Sequence, residues 1–505
     1  MMRLHVRCLL RVASKGFEKV FTRSFIWSVL VLGLYLSGCT TNPATGESEF
    51  TPLMSPAQEK EAGAQSHRGL VNSFGGEYDN PKLRAYIEKV TQRITTVTEY
   101  PSDYYQITIL DSPIVNAFAL PGGYLYVTRG LVALANTEAE LAGVIGHEAG
   151  HVTARHAANR MNIYGLSQIA STAAAILTGT QAAGQAVGLA GQGVIASYSR
   201  SDEYEADMLG VRYLAKAGYN PFAQADFLNN LEIYSRYRER TSNRAGSSLP
   251  SFFATHPATD KRVLEAAAIA EQKSIKGGDN NRMPYLQAIN GMIWGDNPKQ
   301  GIIEGNDFIH PDLRFKFTVP DSFTIENQPT KVAAYDQSGA ILIFDMDSRA
   351  TSRNMLDYMK YEFAGGAALT DIRKISLPNV RETARATARM TINNRNMPAT
   401  LYALRGKDNK VYRFIAAAPQ NIRQNYTSSF EKSVRSFRNI SSSEAKSVKS
   451  YIIAYRKIRP GDSFASLARR MAIQKDAEAL FRALNGFRDN DRLPTSGYVK
   501  LILRK

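Results

Sequence analysis

The sequence predicts an α+β protein of several domains: a mainly helical unit with a small sheet, an α+β unit with an antiparallel sheet, then a small βααβ unit. Three observations predict it. With 505 residues the chain is too long for one domain by the usual prior. Between residues 55 and 219 apolar residues recur at helical spacing. From 306 to 440, "LRFKFTVP", "AILIFDM", "ATLYALRG" and "VYRFIAAAP" alternate as strands do, and a strand–helix–helix–strand pattern follows at 451–503.

The first 38 residues read as a signal peptide. Arg3, Arg7, Arg11, Lys15, Lys19 and Arg23 make a basic start, and "FIWSVLVLGLYL" makes the apolar region. That run is short of the roughly 20 residues needed to span a bilayer. Its ending, "LSGC", resembles a bacterial lipobox. The resemblance implies cleavage before Cys39, a lipid anchor on its sulfur and, with Thr40 next, an outer-membrane location facing the periplasm. The other cysteine, Cys8, leaves with the leader, so the mature chain has no disulfide. Loss of the leader's six basic residues and one acidic residue takes the formal charge from +16 to +11. An exported basic chain suits an anionic envelope better than nucleic acid.

Residues 39–54 read as a tether. Ser55-Pro56 with Gln58 opens a helix, and Asn80-Pro81 opens another with Leu83, Tyr86, Ile87, Val90 and Ile94 on one face. Residues 101–130 read as strands around the turn Pro121-Gly122-Gly123.

The stretch "VIGHEAGHVTARH", 144–156, holds three of the chain's seven histidines. Thr137 and Glu140 have capping-box spacing, with Asn136 as the alternative cap. On the helix that follows, His147 and His151 lie four residues apart and can share one ion, while Glu148 is offset toward a water on that ion. The pattern is the HExxH of zinc peptidases. Gly143, Gly146 and Gly150 weaken such a helix unless a neighbouring backbone comes close. His156, nine residues after His147, falls on the opposite face of the helix, so it reads as a packing or ligand-supporting residue. A third ligand should be a carboxylate from another helix. "SYSRSDEYEADMLGVRYLAKAGY", 197–219, offers Glu203 as ligand and Asp207 as a carboxylate orienting an imidazole; spacing alone leaves Glu205 open.

HEAGHVTARH, SRSDEYEAD, ATHPATDKR and the upstream "NAFALPGGYLYVTRGL" together resemble the HtpX-like gluzincins, metallopeptidase family 48, which include membrane-embedded prenyl-peptide endopeptidases and periplasmic enzymes of the BepA type. The resemblance spans roughly residues 45–275. It implies one zinc ion per chain, selects Glu203 as third ligand with Asp207 beside it, and marks His256 and Arg262 as active-site neighbours.

Residues 161–199 carry no charge and are rich in Ala and Gly; a helical pair or flap beside the cleft is expected, with a membrane span as the alternative. The peptidase domain is expected at 55–275, a linker at 276–305, and an α+β domain without a titratable cluster at 306–440. The last unit, 449–505, resembles a LysM module, which implies peptidoglycan as a partner. Residues 451–505 carry twelve Lys or Arg against five Asp or Glu. Every expected catalytic residue precedes residue 263, so this unit is expected to be separable.

The expected activity is zinc-dependent hydrolysis of peptide bonds in unfolded or misassembled envelope proteins. Glu148 serves as general base on the zinc-bound water. His256 and Arg262 are expected to stabilise the oxyanion. A substrate strand would pair near Asn116, Ala117 and Phe118. An assembly factor or holdase with occasional proteolysis, and a cell-wall hydrolase, are the competing readings.

Overall fold

A computed structural model describes residues 39–50, 54–163, 197–241, 252–256, 260–272 and 277–505, apart from 348, 364–365 and 393–394. The expected signal peptide and nearly all of the uncharged 161–199 stretch lie outside the described residues. Among the described residues no helix is long and apolar enough to cross a membrane.

Residues 39–50, expected as a tether, form a hairpin of β1 (Cys39–Thr41) and β2 (Ser48–Phe50). Two helices follow, α1 (Pro56–Ser73) and α2 (Pro81–Thr95). Ser55 caps the first in a full capping box with Gln58, and Asn80 caps the second. Next come β3 (Gln106–Leu110), β4 (Ala117–Leu120) and β5 (Tyr124–Thr128) in the order β3-β5-β4, so β4 is an edge strand. Pro121-Gly122-Gly123 turns β4 into β5; both glycines have positive φ, as this turn requires. A short α3 (Arg129–Leu134) leads into α4 (Glu138–Thr153), the helix carrying HExxH, which is buried along its whole length.

Thr137 is the cap of α4 and accepts from Glu140 N at 3.1 Å. Glu140 reaches one residue further back than a capping box does, accepting from Asn136 N at 2.9 Å. Across α4 lie α5 (Arg200–Lys216) and α6 (Ala223–Thr241). The glycines admit them. A Cβ at Gly146 would stand 3.4 Å from Gly210, and one at Gly150 would stand 3.1 Å from Ala206 O. Then come α7 (Phe252–Thr255) and α8 (Asp260–Gln272).

The expected linker at 276–305 is folded. Its glycines and asparagines flank an apolar stretch, which forms α9 (Arg282–Ile289) and β6 (Ile293–Trp294); Tyr285, Leu286, Ile289 and Met292 join the peptidase core. Beyond it, β7 (Ile302–Glu304), β8 (Asp307–His310) and β9 (Phe315–Thr318) form one small antiparallel sheet, completed later by β17 (Arg438–Asn439). A seven-stranded antiparallel sheet comprises β10 (Thr324–Gln328), β11 (Lys331–Tyr335), β12 (Ile341–Asp347), β13 (Thr370–Ile375), β14 (Thr383–Ile392), β15 (Arg395–Arg405) and β16 (Val411–Ala417). Their order is β10-β11-β12-β16-β15-β14-β13. Helix α10 (Met355–Tyr358) and helix α11 (Arg423–Arg435) pack against it, each within a separate apolar cluster. Helix α12 (Ser442–Ser447) leads out.

The last unit has the expected βααβ order: β18 (Tyr451–Lys457), α13 (Phe464–Ala468), α14 (Ala477–Asn485) and β19 (Tyr498–Arg504). It is not separable. Strand β18 pairs with β6, α14 packs on α6, and Ile453, Leu467, Phe481, Leu484 and Ile502 belong to the same apolar core as helices α2, α4, α5 and α6. Removing it would expose that core to water.

Candidate metal centre

Helix α4 presents His147, Glu148 and His151 on its inner side, and α5 presents Glu203 and Asp207 one turn apart. All five are at most 2% exposed. His151 Nε2 lies 3.1 Å from His147 Nε2 and 3.5 Å from Glu203 Oε1, and His147 Nε2 lies 3.6 Å from Glu203 Oε2. A tetrahedral zinc with bonds of about 2.0–2.1 Å separates its ligand atoms by roughly 3.3 Å. The donor set and spacing therefore fit zinc. Asp207 Oδ1 stands 2.9 Å from His147 Nδ1, which points Nε2 at the ligand position.

Glu205 is not among the ligands. It serves His156, at 3.2 Å from Nε2. His156 is not on the opposite face either, because α4 stops at Ala154. Arg155 takes a left-handed conformation, φ 55°, held by Glu59 and the Met54 carbonyl. The chain turns there, and His156 Nδ1 comes within 2.8 Å of His151 Nδ1. With His151 Nε2 facing the ligand position, its Nδ1–H donates to His156, whose Nε2–H donates to Glu205.

His256 and Arg262 are both at the site. His256 Nδ1 is 3.3 Å from His147 Nε2 and 2.8 Å from Glu203 Oε1, so it joins the other three as a possible fourth ligand. Its Nε2 is 3.3 Å from Glu148 Oε1. Arg262 is engaged by carboxylates: Nε and Nη2 bind Asp207 at 2.7 and 2.8 Å, and Nη1 lies 2.6 Å from Glu203. It holds ligand and supporting carboxylate together.

The electrostatics follow from burial and these partners. Burial works to raise the Glu203 carboxyl, but His256, His151 and His147 hold it well below the usual carboxylate range. Burial likewise opposes the ionised Asp207, and Arg262 outweighs it. Burial pushes His151 down, which keeps the imidazole neutral as a ligand must be. Glu148 is pushed up by burial, and among the described residues neither of its oxygens accepts a hydrogen bond. A raised carboxylate in that position suits a general base.

Three further contacts have no signature along the chain. Gln224 Nε2 donates to Asp207 Oδ1 at 2.8 Å. Tyr198 stacks on His151 with ring centroids 3.8 Å apart, and Phe252 stacks on His256 at 4.5 Å. Glutamine and lone aromatics have no spacing signature. Asn116, Ala117 and Phe118 lie at the start of β4, buried. Phe118 is a core residue, packed on Phe74 and Tyr126. Above this edge, Phe252 N donates to Val115 O at 3.0 Å and Thr255 Oγ1 to Asn116 Oδ1 at 3.3 Å. The segment that supplies His256 thus also meets the two residues that lead into β4.

Residues 81–270 match the model of peptidase family M48. The four clustered donors, His147, His151, Glu203 and His256, all lie inside this match. The chain is 29% identical over 254 residues to the "Beta-barrel assembly-enhancing protease" of Escherichia coli K12, covering 47% of this chain and 49% of the relative. It is 32% identical over 204 residues to the putative protein of that name from Vibrio cholerae, covering 38% and 40%. It is 27% identical over 253 residues to "Mitochondrial metalloendopeptidase OMA1" of Schizosaccharomyces pombe, covering 47% and 69%. The match spans half or less of the bacterial relatives' length.

Proposed function

We propose that this M48 protein is a zinc-dependent endopeptidase of the bacterial envelope that cleaves unfolded or misassembled envelope proteins. The observation that carries the reading is the buried His147–His151–Glu203 triad beside a Glu148 whose oxygens have no hydrogen bond among the described residues. Zinc bound there would polarise the scissile carbonyl and acidify the attacking water. Glu148 takes the proton from the water and returns it to the leaving amine. Asp207 and Arg262 keep the imidazole and carboxylate ligands in place. Withdrawal of residues 252–256 from Val115 and Asn116 would free the corner taken by His256 for a substrate.

The envelope setting draws on the signal-peptide pattern and on the bacterial relatives' printed role in β-barrel assembly. A lipid on Cys39 would hold the peptidase close to the membrane. Asn42, three residues on, is buried and donates to Ala154 O at the end of α4.

The test uses the Glu148→Gln chain as a trap. Crosslinking in its own envelope should recover non-native envelope proteins, and the wild type should cleave casein but not purified peptidoglycan. Cleavage of peptidoglycan, or of neither, would overturn the reading.

A further inference from the structure

Among the contacts that fasten the βααβ unit to the helices is one buried lysine, Lys500. Lys500, on β19, has no exposure to solvent. Its Nζ donates to the carbonyls of Ala133, Leu134 and Ala135 at 2.7, 2.8 and 2.9 Å. An ammonium has three donors and no acceptor, so these carbonyls satisfy it completely. They are carbonyls that a helix end leaves without partners. Two residues beyond Ala135, Thr137 caps α4, the helix of His147, Glu148 and His151.

The lysine is itself held in place. Asn485, the last residue of α14, donates to Lys500 O at 3.0 Å and accepts from Lys500 N at 2.7 Å. Arg282 ties the same strand to the same junction, donating to Tyr498 O at 2.9 Å and to Asn136 O at 3.2 Å.

A second connection runs through α6. Gly486, which ends α14, lies so close to Asn230 that a Cβ would stand 2.0 Å from its Oδ1. Asn230 Nδ2 donates to Glu140 in the first turn of α4 at 2.8 Å. One helix face away on α6, Gln224 holds Asp207, and Asp207 holds His147. The unit therefore reaches the metal-binding helix at its start and reaches a ligand's supporting carboxylate from the side.

We propose that the C-terminal βααβ unit is a positioning element of the peptidase, with Lys500 holding the α3–α4 junction so that the metal-binding helix keeps its place. The proposal rests on the peptidase reading above. Lys500 is a positioning residue; it touches neither substrate nor metal. It follows that a ligand for the α6-facing side of this unit must first undock it, and that undocking loosens the metal site.

The test uses the full chain with Lys500→Met and, separately, Gly486→Ala, at a temperature where circular dichroism shows each variant folded. Three quantities are measured: amide hydrogen exchange over residues 129–153, release of zinc to a chromogenic chelator, and casein cleavage. Exchange in 135–153 and zinc release should each rise tenfold or more, and kcat should fall with KM unchanged. A Lys500→Met chain that melts earlier but keeps wild-type exchange and zinc release overturns the proposal and leaves the unit a stabilising cap. If Lys500→Met does not fold, the Gly486→Ala chain decides by the same measurements. If the wild type cleaves nothing, the peptidase reading fails, while exchange and zinc release still decide the positioning role.

Discussion

His151 Nδ1 lies 2.8 Å from His156 Nδ1, although only five residues separate them across a helix end. The contact extends the metal site through His156 to Glu205. A ligand whose second nitrogen is held this way is both oriented and made more basic. His156→Phe should weaken zinc binding by 10–100-fold with the fold intact, and Glu205→Gln should weaken it less. Competition with a chelator of known affinity measures both; unchanged affinity in His156→Phe would remove the residue from the site.

The ligand assignment separates variants by metal content. Glu148→Gln should keep near-stoichiometric zinc and lose turnover. His147→Ala, His151→Ala and Glu203→Ala should lose most of it. Elemental analysis giving full zinc in Glu203→Ala and loss in Glu205→Ala would reverse the assignment.

His256 distinguishes a covering role from a donor role. A catalytic zinc site keeps one position open, and His256 Nδ1 stands where that position would be. His256→Ala should therefore retain zinc on the other three ligands and cleave casein faster than the wild type. A fall in turnover with zinc retained would return His256 to the role of oxyanion donor.

Arg262 neutralises two buried carboxylates at once. Truncating one partner of a buried ion pair typically costs roughly 3–5 kcal/mol, because the other charge is left unpaired. Arg262→Ala should destabilise the peptidase by about that amount in denaturant titration, and zinc affinity should fall with it.

Glu140 supplies a pH dependence. Burial pushes its carboxyl up from 4.5 to about 7, against the favourable contacts of Asn136 N, Lys500 and Asn230. Between those values the folded chain holds a proton that the unfolded chain has lost. Stability should accordingly fall as pH rises from about 4.5 to about 7, by on the order of 3 kcal/mol from this group. Glu140→Gln should flatten that part of the profile in melts across the range; an unchanged slope would assign it to other groups.

Reading along the chain was enough wherever the cause is local. The i, i+4 spacing of His147 and His151, and of Glu203 and Asp207, follows from helix periodicity, so the metal-binding face was legible before any packing was known. The caps at Ser55, Asn80 and Thr137 and the Pro-Gly-Gly turn are likewise short-range hydrogen-bond and dihedral effects. Packing decided the rest. Whether Asp207 would be clamped by Arg262 and Gln224 depended on three separate helices meeting. The place of His156 depended on where α4 stops, and that is set by Arg155 reaching Glu59 and Met54 about a hundred residues earlier. The βααβ order of the last unit could be read from alternation and turns, but its attachment could not. Lys500 meets Ala135 across 365 positions of sequence, and nothing beside a lysine in a strand distinguishes a solvated side chain from one enclosed by three carbonyls. That difference exists only once two distant parts of the chain have buried their apolar faces in one core.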